Sequence, residues 1–89
     1  MDTKQCRKLF MLRLKNTLRA FRAKLGISQE KMADKLHITP RAYANLEGGS
    51  TGFSAWTLLM LIVMLPDEEI LALVLGLRED VKASDNAAA

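Results

Sequence analysis

Cysteine and histidine occur once each in the 89 residues, as Cys6 and His37. A lone thiol cannot close an internal disulfide, which fits a reducing cytoplasm. No second histidine or cysteine is present to complete a zinc site. Long apolar runs are missing too. The longest, Ala55 to Leu65, is interrupted only by Thr57 and stopped by Pro66; it falls well short of the roughly 20 residues of a membrane span and reads as a buried helix. The amino-terminal cluster Leu9 to Leu12 is cut by Arg13, so no secretory signal is read there. The Gly48–Gly52 stretch has no lysine after it, which excludes a nucleotide-binding P-loop. Asp67, Glu68 and Glu69 read as charge at a helix start, not as an acid/base pair. Neither catalysis nor a cofactor is expected.

What is present is an apolar half, 49% of the residues, enough for one modest core over residues 1–82. The polar residues 83–89 are expected to form a disordered tail. The net charge of +3 conceals an asymmetry. Residues 1–41 carry eleven Lys/Arg against three Asp/Glu, a balance of +8, and residues 42–89 carry two against seven, a balance of −5. A basic half and an acidic half suggest one face turned to an anionic polymer and one turned away.

The pattern predicts five helices and no strands. The first starts at Thr3 or Lys4, and Phe10, Leu14, Leu18, Phe21 and Leu25 line one stripe of it. Gly26 ends it in a left-handed conformation. Ser28 caps the second, with Ile27 placed to staple against Met32. Thr39 caps the third, Pro40 takes its first position, and Ile38 faces Tyr43. His37 falls at the intervening turn, where a non-glycine residue must accept unusual backbone angles. Ser54 caps the fourth, with Phe53 and Leu58 as a third staple pair, and Pro66 closes it. The acids at 67–69 suit the positive start of a fifth helix, which ends at Gly76 or continues to about Val81.

Two short helices joined by a three-residue turn over Ser28–Glu47 have the layout of a DNA-reading helix-turn-helix. Leu18-Arg-Ala-Phe-Arg-Ala-Lys-Leu-Gly-Ile-Ser-Gln-Glu, Met32-Ala-Asp-Lys-Leu and Tyr43-Ala-Asn-Leu-Glu-Gly-Gly together resemble the Cro/repressor (Xre-type) helix-turn-helix family. The resemblance covers about residues 14–65 and implies an all-α, five-helix lambda-repressor-like domain whose third helix enters the major groove, generally as a dimer. It further implies that Ala33 lets the second and third helices approach. Met32, Leu36, Ile38, Tyr43 and Leu46 hold them together, and Arg22 pairs structurally with Glu47. Gln29 touches a phosphate and braces the recognition helix, while Thr39, Pro40, Arg41, Ala44 and Asn45 take the places that read base edges. Three positions depart from the family pattern. His37 replaces a usual glycine, Pro40 replaces a polar reader, and Gly49-Ser-Thr-Gly-Phe lacks the basic residues the family places there for phosphates.

Arg41 and Asn45 are one turn apart on one face. Arginine suits the two acceptors of guanine and asparagine suits adenine, each through paired hydrogen bonds. Ser28 and Gln29, at a helix start with exposed amides, suit a phosphate, and Lys24, Lys31 and Lys35 add sequence-independent attraction. Tyr43 is expected in the core with its hydroxyl near the rim, and Trp56 in the core or an interface. The apolar 55–77 region exceeds what a monomer buries comfortably and suggests a homodimer surface, which Leu9-Phe-Met-Leu either joins or caps. The expected partner is double-stranded DNA and the expected role a dimeric repressor. The alternative is an antitoxin-like module that covers a protein partner with its 55–77 half.

Overall fold

A computed structural model of the chain describes residues 2–88, and the regular elements among them are five α-helices. They are α1 (Thr3–Leu25), α2 (Gln29–Lys35), α3 (Pro40–Gly48), α4 (Ala55–Met64) and α5 (Asp67–Ala88). Four of the starts are built by the residue just before the helix. The Asp2 carboxylate accepts from the Gln5 amide at 3.1 Å. The hydroxyls of Ser28 and Thr39 accept from Lys31 and Ala42, each at 3.1 Å, and that of Ser54 accepts from Thr57 at 3.2 Å. Each such cap satisfies an amide the helix itself leaves unpaired and contributes about 1 kcal/mol. At α5 the Pro66 carbonyl takes the Glu69 and Ile70 amides at 2.9 and 3.0 Å, beside the three acids of the first turn.

The core joins Leu14, Leu18 and Phe21 of α1 to Met32, Ala33 and Leu36 around α2, Tyr43 and Leu46 of α3, then Leu61, Leu65 and Leu73. The apolar stripe of α1 is therefore buried in its middle. Its last member, Leu25, is exposed because α1 outruns the core there. The amino-terminal cluster divides: Met11 packs on the core and Leu12 faces out. Trp56 is not a core residue. It is 55% exposed, and its indole N–H donates to the Leu36 carbonyl at 3.1 Å, closing a group the end of α2 leaves open.

The fifth helix passes both expected endpoints and continues through the 83–88 stretch expected to be a disordered tail; Ala89 lies outside the described residues. A long-range ion pair and a local hydrogen bond hold it. Arg13 of α1 grips Asp80 with a two-pronged pair, Nε to Oδ2 at 2.7 Å and Nη2 to Oδ1 at 2.9 Å. The buried Ser84 hydroxyl donates to the Asp80 carbonyl at 3.0 Å. The hydrogen bonds from Arg13 hold the Asp80 pKa below the usual carboxylate value despite its burial. Gly76 does not end the helix; it clears a path for this arginine. A β-carbon at position 76 would lie 2.6 Å from Arg13 Cζ and 2.8 Å from its Nε. Asp80→Asn is accordingly expected to cost about 1 kcal/mol in the natural chain and close to nothing in a Gly76→Ala background, as read by urea unfolding of the four-member cycle. Equal costs in both backgrounds would show that Arg13 reaches Asp80 without the glycine.

Candidate nucleic-acid interface

Helices α2 and α3 pack through fully buried Ala33, whose small side chain permits close approach, with Met32, Leu36 and Tyr43 equally inaccessible around it. The turn between them is a left-handed cap made without glycine. His37 has φ 58°. Its amide donates to the Asp34 carbonyl at 3.1 Å, and the Ile38 amide reaches back to the Ala33 carbonyl at 3.0 Å. This pair of bonds is the Schellman closure, and it leaves the imidazole exposed while Ile38 returns to the core. Histidine tolerates this region better than a β-branched residue does, so the turn keeps its usual shape. Gly49 closes α3 in the same manner, with the Ser50 amide on the Asn45 carbonyl at 3.0 Å.

Behind this pair of helices a buried carboxylate gathers donors from all three surrounding helices. Glu47, at the end of α3, accepts from Arg22 Nε at 2.5 Å and from Arg22 Nη2 and Gln29 Nε2, each at 3.1 Å. The Tyr43 hydroxyl donates to the same carboxylate, and Arg22 Nη1 continues to the Ile27 carbonyl at 3.1 Å. Burial alone pushes the Glu47 pKa up. The hydrogen bonds from Arg22, Tyr43 and Gln29 outweigh burial and hold it below its ordinary value. Tyr43 moves the other way, because burial and its bond to Glu47 both favour the neutral phenol. Its hydroxyl is thus inside the protein, not at the rim as expected, because a tyrosine one turn before Glu47 places it against the carboxylate.

Thr39 and Pro40 are exposed at the start of α3, and on its outer side Arg41 and Ala44 are exposed and Asn45 is half-buried. Arg41 has no carboxylate partner among the described residues, so its guanidinium is available. The phosphate candidates divide. Lys31 and Lys35 are exposed and unpaired among the described residues, and Ser28 sits at the start of α2 as its cap. Gln29 uses a side-chain N–H on Glu47, which leaves its second N–H and the α2 amides for any phosphate. Lys24 is turned to other work. It pairs with Glu69 of α5 at 2.7 Å, because the last turn of α1 faces the acidic start of α5. The charge asymmetry is partly cancelled in the same way. Arg13, Arg22 and Lys24 of the basic half meet Asp80, Glu47 and Glu69 of the acidic half.

Residues 18–61 match the model of the helix-turn-helix family, a span from the middle of α1 to α4 that contains the whole α2–turn–α3 unit. The chain belongs to the Cro/repressor (Xre-type) helix-turn-helix family. This is a family of DNA-binding transcription regulators, with a lambda-repressor-like all-α fold. No curated protein and no solved structure matches the chain. Among the described residues, no helix-turn-helix element or flanking helix is long and apolar enough to cross a membrane, and no group of three or more potential ligands could hold a metal ion.

Proposed function

We propose that the chain is a dimeric repressor that inserts α3 into the major groove and reads a two-fold symmetric operator. The observation that carries this reading is the polarity of α3. One side is clamped through Tyr43, Leu46 and Glu47, while the helix start presents Thr39 and Pro40 and the outer side presents Arg41, Ala44 and Asn45, with no competing ion pair. Arg41 would take guanine through two hydrogen bonds, and Asn45 adenine. Pro40 and Ala44 offer apolar contact to a thymine methyl, and Thr39, whose oxygen already caps the helix, borders a base or a phosphate. Ser28, Gln29, Lys31 and Lys35 would hold the backbone at the α2 end. The dimer is drawn from α4 and α5, where Leu59, Val63, Leu71 and Leu75 are 60, 78, 59 and 47% exposed. Side chains of this kind, repeated on adjacent elements, favour a covering copy, and half-sites about 34 Å apart would follow.

The test is selection of a duplex from a random-sequence library by the full chain, followed by titration of the natural protein and Arg41→Ala against it and a scrambled duplex. Arg41→Ala is expected to lose about 5- to 150-fold in affinity for the selected duplex and little for the scrambled one. An unchanged ratio between the two would remove Arg41 from the reading surface. The same exposed leucines also suit an antitoxin-like role with a different protein as cover. Light scattering of the purified chain separates the two, since a monomer at micromolar concentration favours that second partner.

A further inference from the structure

The loop after α3 lacks the basic side chains that would grip DNA phosphates, yet the fold brings cations to it from elsewhere. Between α1 and residues 49–53 lies an open cleft of about 420 Å³ whose lining includes Arg7, Lys8, Lys15, Gly49, Gly52 and Phe53. Lys15 leans directly over the loop: a β-carbon on Gly49 would lie 3.5 Å from its Cδ and 3.6 Å from its Nζ. None of the three cations has a carboxylate partner among the described residues. The loop contributes donors of its own. The amides of Gly49 and Ser50 are used by the α3 closure, whereas those of Thr51, Gly52 and Phe53 donate to no protein acceptor among the described residues. Residues with free amides and unpaired cations line one cleft, which is the make-up of an anion seat.

Its position selects the anion. At 100° per residue, Lys4, Lys8, Lys15 and Arg19 fall within an arc of about 60° on α1, and Arg22, already held by Glu47, continues the same side of the helix. The stripe therefore leads from the Arg22–Glu47–Gln29 network, behind the α2 start, along to the loop that leaves the end of α3. An isolated small anion needs one seat. A row of cations ending beside the reading helix fits a polymer of regularly spaced charges. We propose that this cleft, through Arg7, Lys8, Lys15 and the 51–53 amides, binds the phosphate backbone of the same duplex that α3 reads, replacing the basic residues missing from the loop. The proposal rests on the reading of α3 as the element in the groove.

The experiment titrates the full chain, Arg7→Ala/Lys8→Ala/Lys15→Ala, and Lys8→Arg/Lys15→Arg against the selected duplex over a range of salt concentrations. Each lost phosphate contact reduces the slope of log affinity against log salt by about 0.9. The triple alanine variant is therefore expected to lose about 2 to 3 in slope, with the preference for selected over scrambled duplex unchanged, and the double arginine variant to keep the natural slope. An unchanged slope in a triple variant of natural melting temperature overturns the cleft, even if it has lost binding to an RNA hairpin or an anionic phosphatidylserine vesicle. A triple variant that unfolds is replaced by Lys15→Gln alone, expected to lose about 0.9. Loss of sequence preference in Arg41→Ala alongside an unchanged slope in the cleft variants overturns the cleft and leaves the α3 reading in place. Failure of the natural chain to prefer any duplex overturns both.

Discussion

Arg22→Met is expected to lower the folding stability by about 2–4 kcal/mol, somewhat less than breaking a fully buried ion pair costs, because the guanidinium keeps some contact with water. The loss arises at Glu47. Its side chain is only 6% exposed, and without the arginine a buried carboxylate would be left with the Tyr43 hydroxyl and one Gln29 N–H. Replacing both members, as Arg22→Met/Glu47→Leu, is expected to recover at least half of the loss, since no buried charge then remains uncompensated. Urea unfolding of the single and double variants decides the matter, and additive losses would mean that the pair is not energetically coupled.

The network also sets the pH limits of that contribution. The folded pKa of Glu47 lies below its ordinary 4.5, so its contribution is present above that value and declines as pH falls through the folded pKa. The folded pKa of Tyr43 lies above its ordinary 10, so its contribution is complete below pH 10 and declines as pH rises beyond it. In the double variant the acidic component is expected to disappear, and Tyr43→Phe should remove the alkaline one.

Val63→Glu/Leu71→Glu is expected to leave the chain folded and monomeric and to weaken binding to a two-half-site duplex by about 100-fold or more. Both side chains are more than half exposed, so the core does not pay for the charges. What fails is the juxtaposition of two carboxylates per copy across a symmetric apolar contact. A dimer also melts at a temperature that rises with protein concentration, and the variant should lose that dependence. Sedimentation at several concentrations supplies the check. A variant that stays dimeric would move the contact away from α4 and α5, with exposed Leu12 on α1 as the next surface to charge.

The four capped helix starts and the ends at Gly26 and Gly49 were legible because local chemistry encodes them. Asp2, Ser28, Thr39 and Ser54 each cap the helix that follows, and Gly26 and Gly49 take left-handed angles. The Arg22–Glu47 pair was legible only through the family resemblance, since 25 residues separate its members. What the sequence concealed depends on contacts between distant segments. Nothing near Arg13 announces a carboxylate 67 residues away, so the sequence ends α5 at Gly76 or at about Val81, and the glycine's service to Arg13 is visible only in the fold. Lys24 reads as a free cation until α5 folds back and supplies Glu69. Trp56 reads as a core or interface residue because its helix is apolar, and its bond to the Leu36 carbonyl, 20 residues away, is visible only in the fold. Among candidate site residues, those of α3 came from the family resemblance, with helix periodicity adding only that Arg41 and Asn45 share a face, whereas the cations beside residues 49–53 come from a helix formed 30 or more positions earlier in the chain.

The buried carboxylate of Glu47 holds α3 by its far end. The side chains at 40, 41 and 44 bear on neither the core nor an ion pair. They can therefore be exchanged as a cassette. On the proposed reading of α3, descendants of such a protein would change the word they recognise by altering these few positions, with the foundation of the fold undisturbed. New specificities would then arise from single substitutions, without the compensating changes that a recognition surface built into its own core would require.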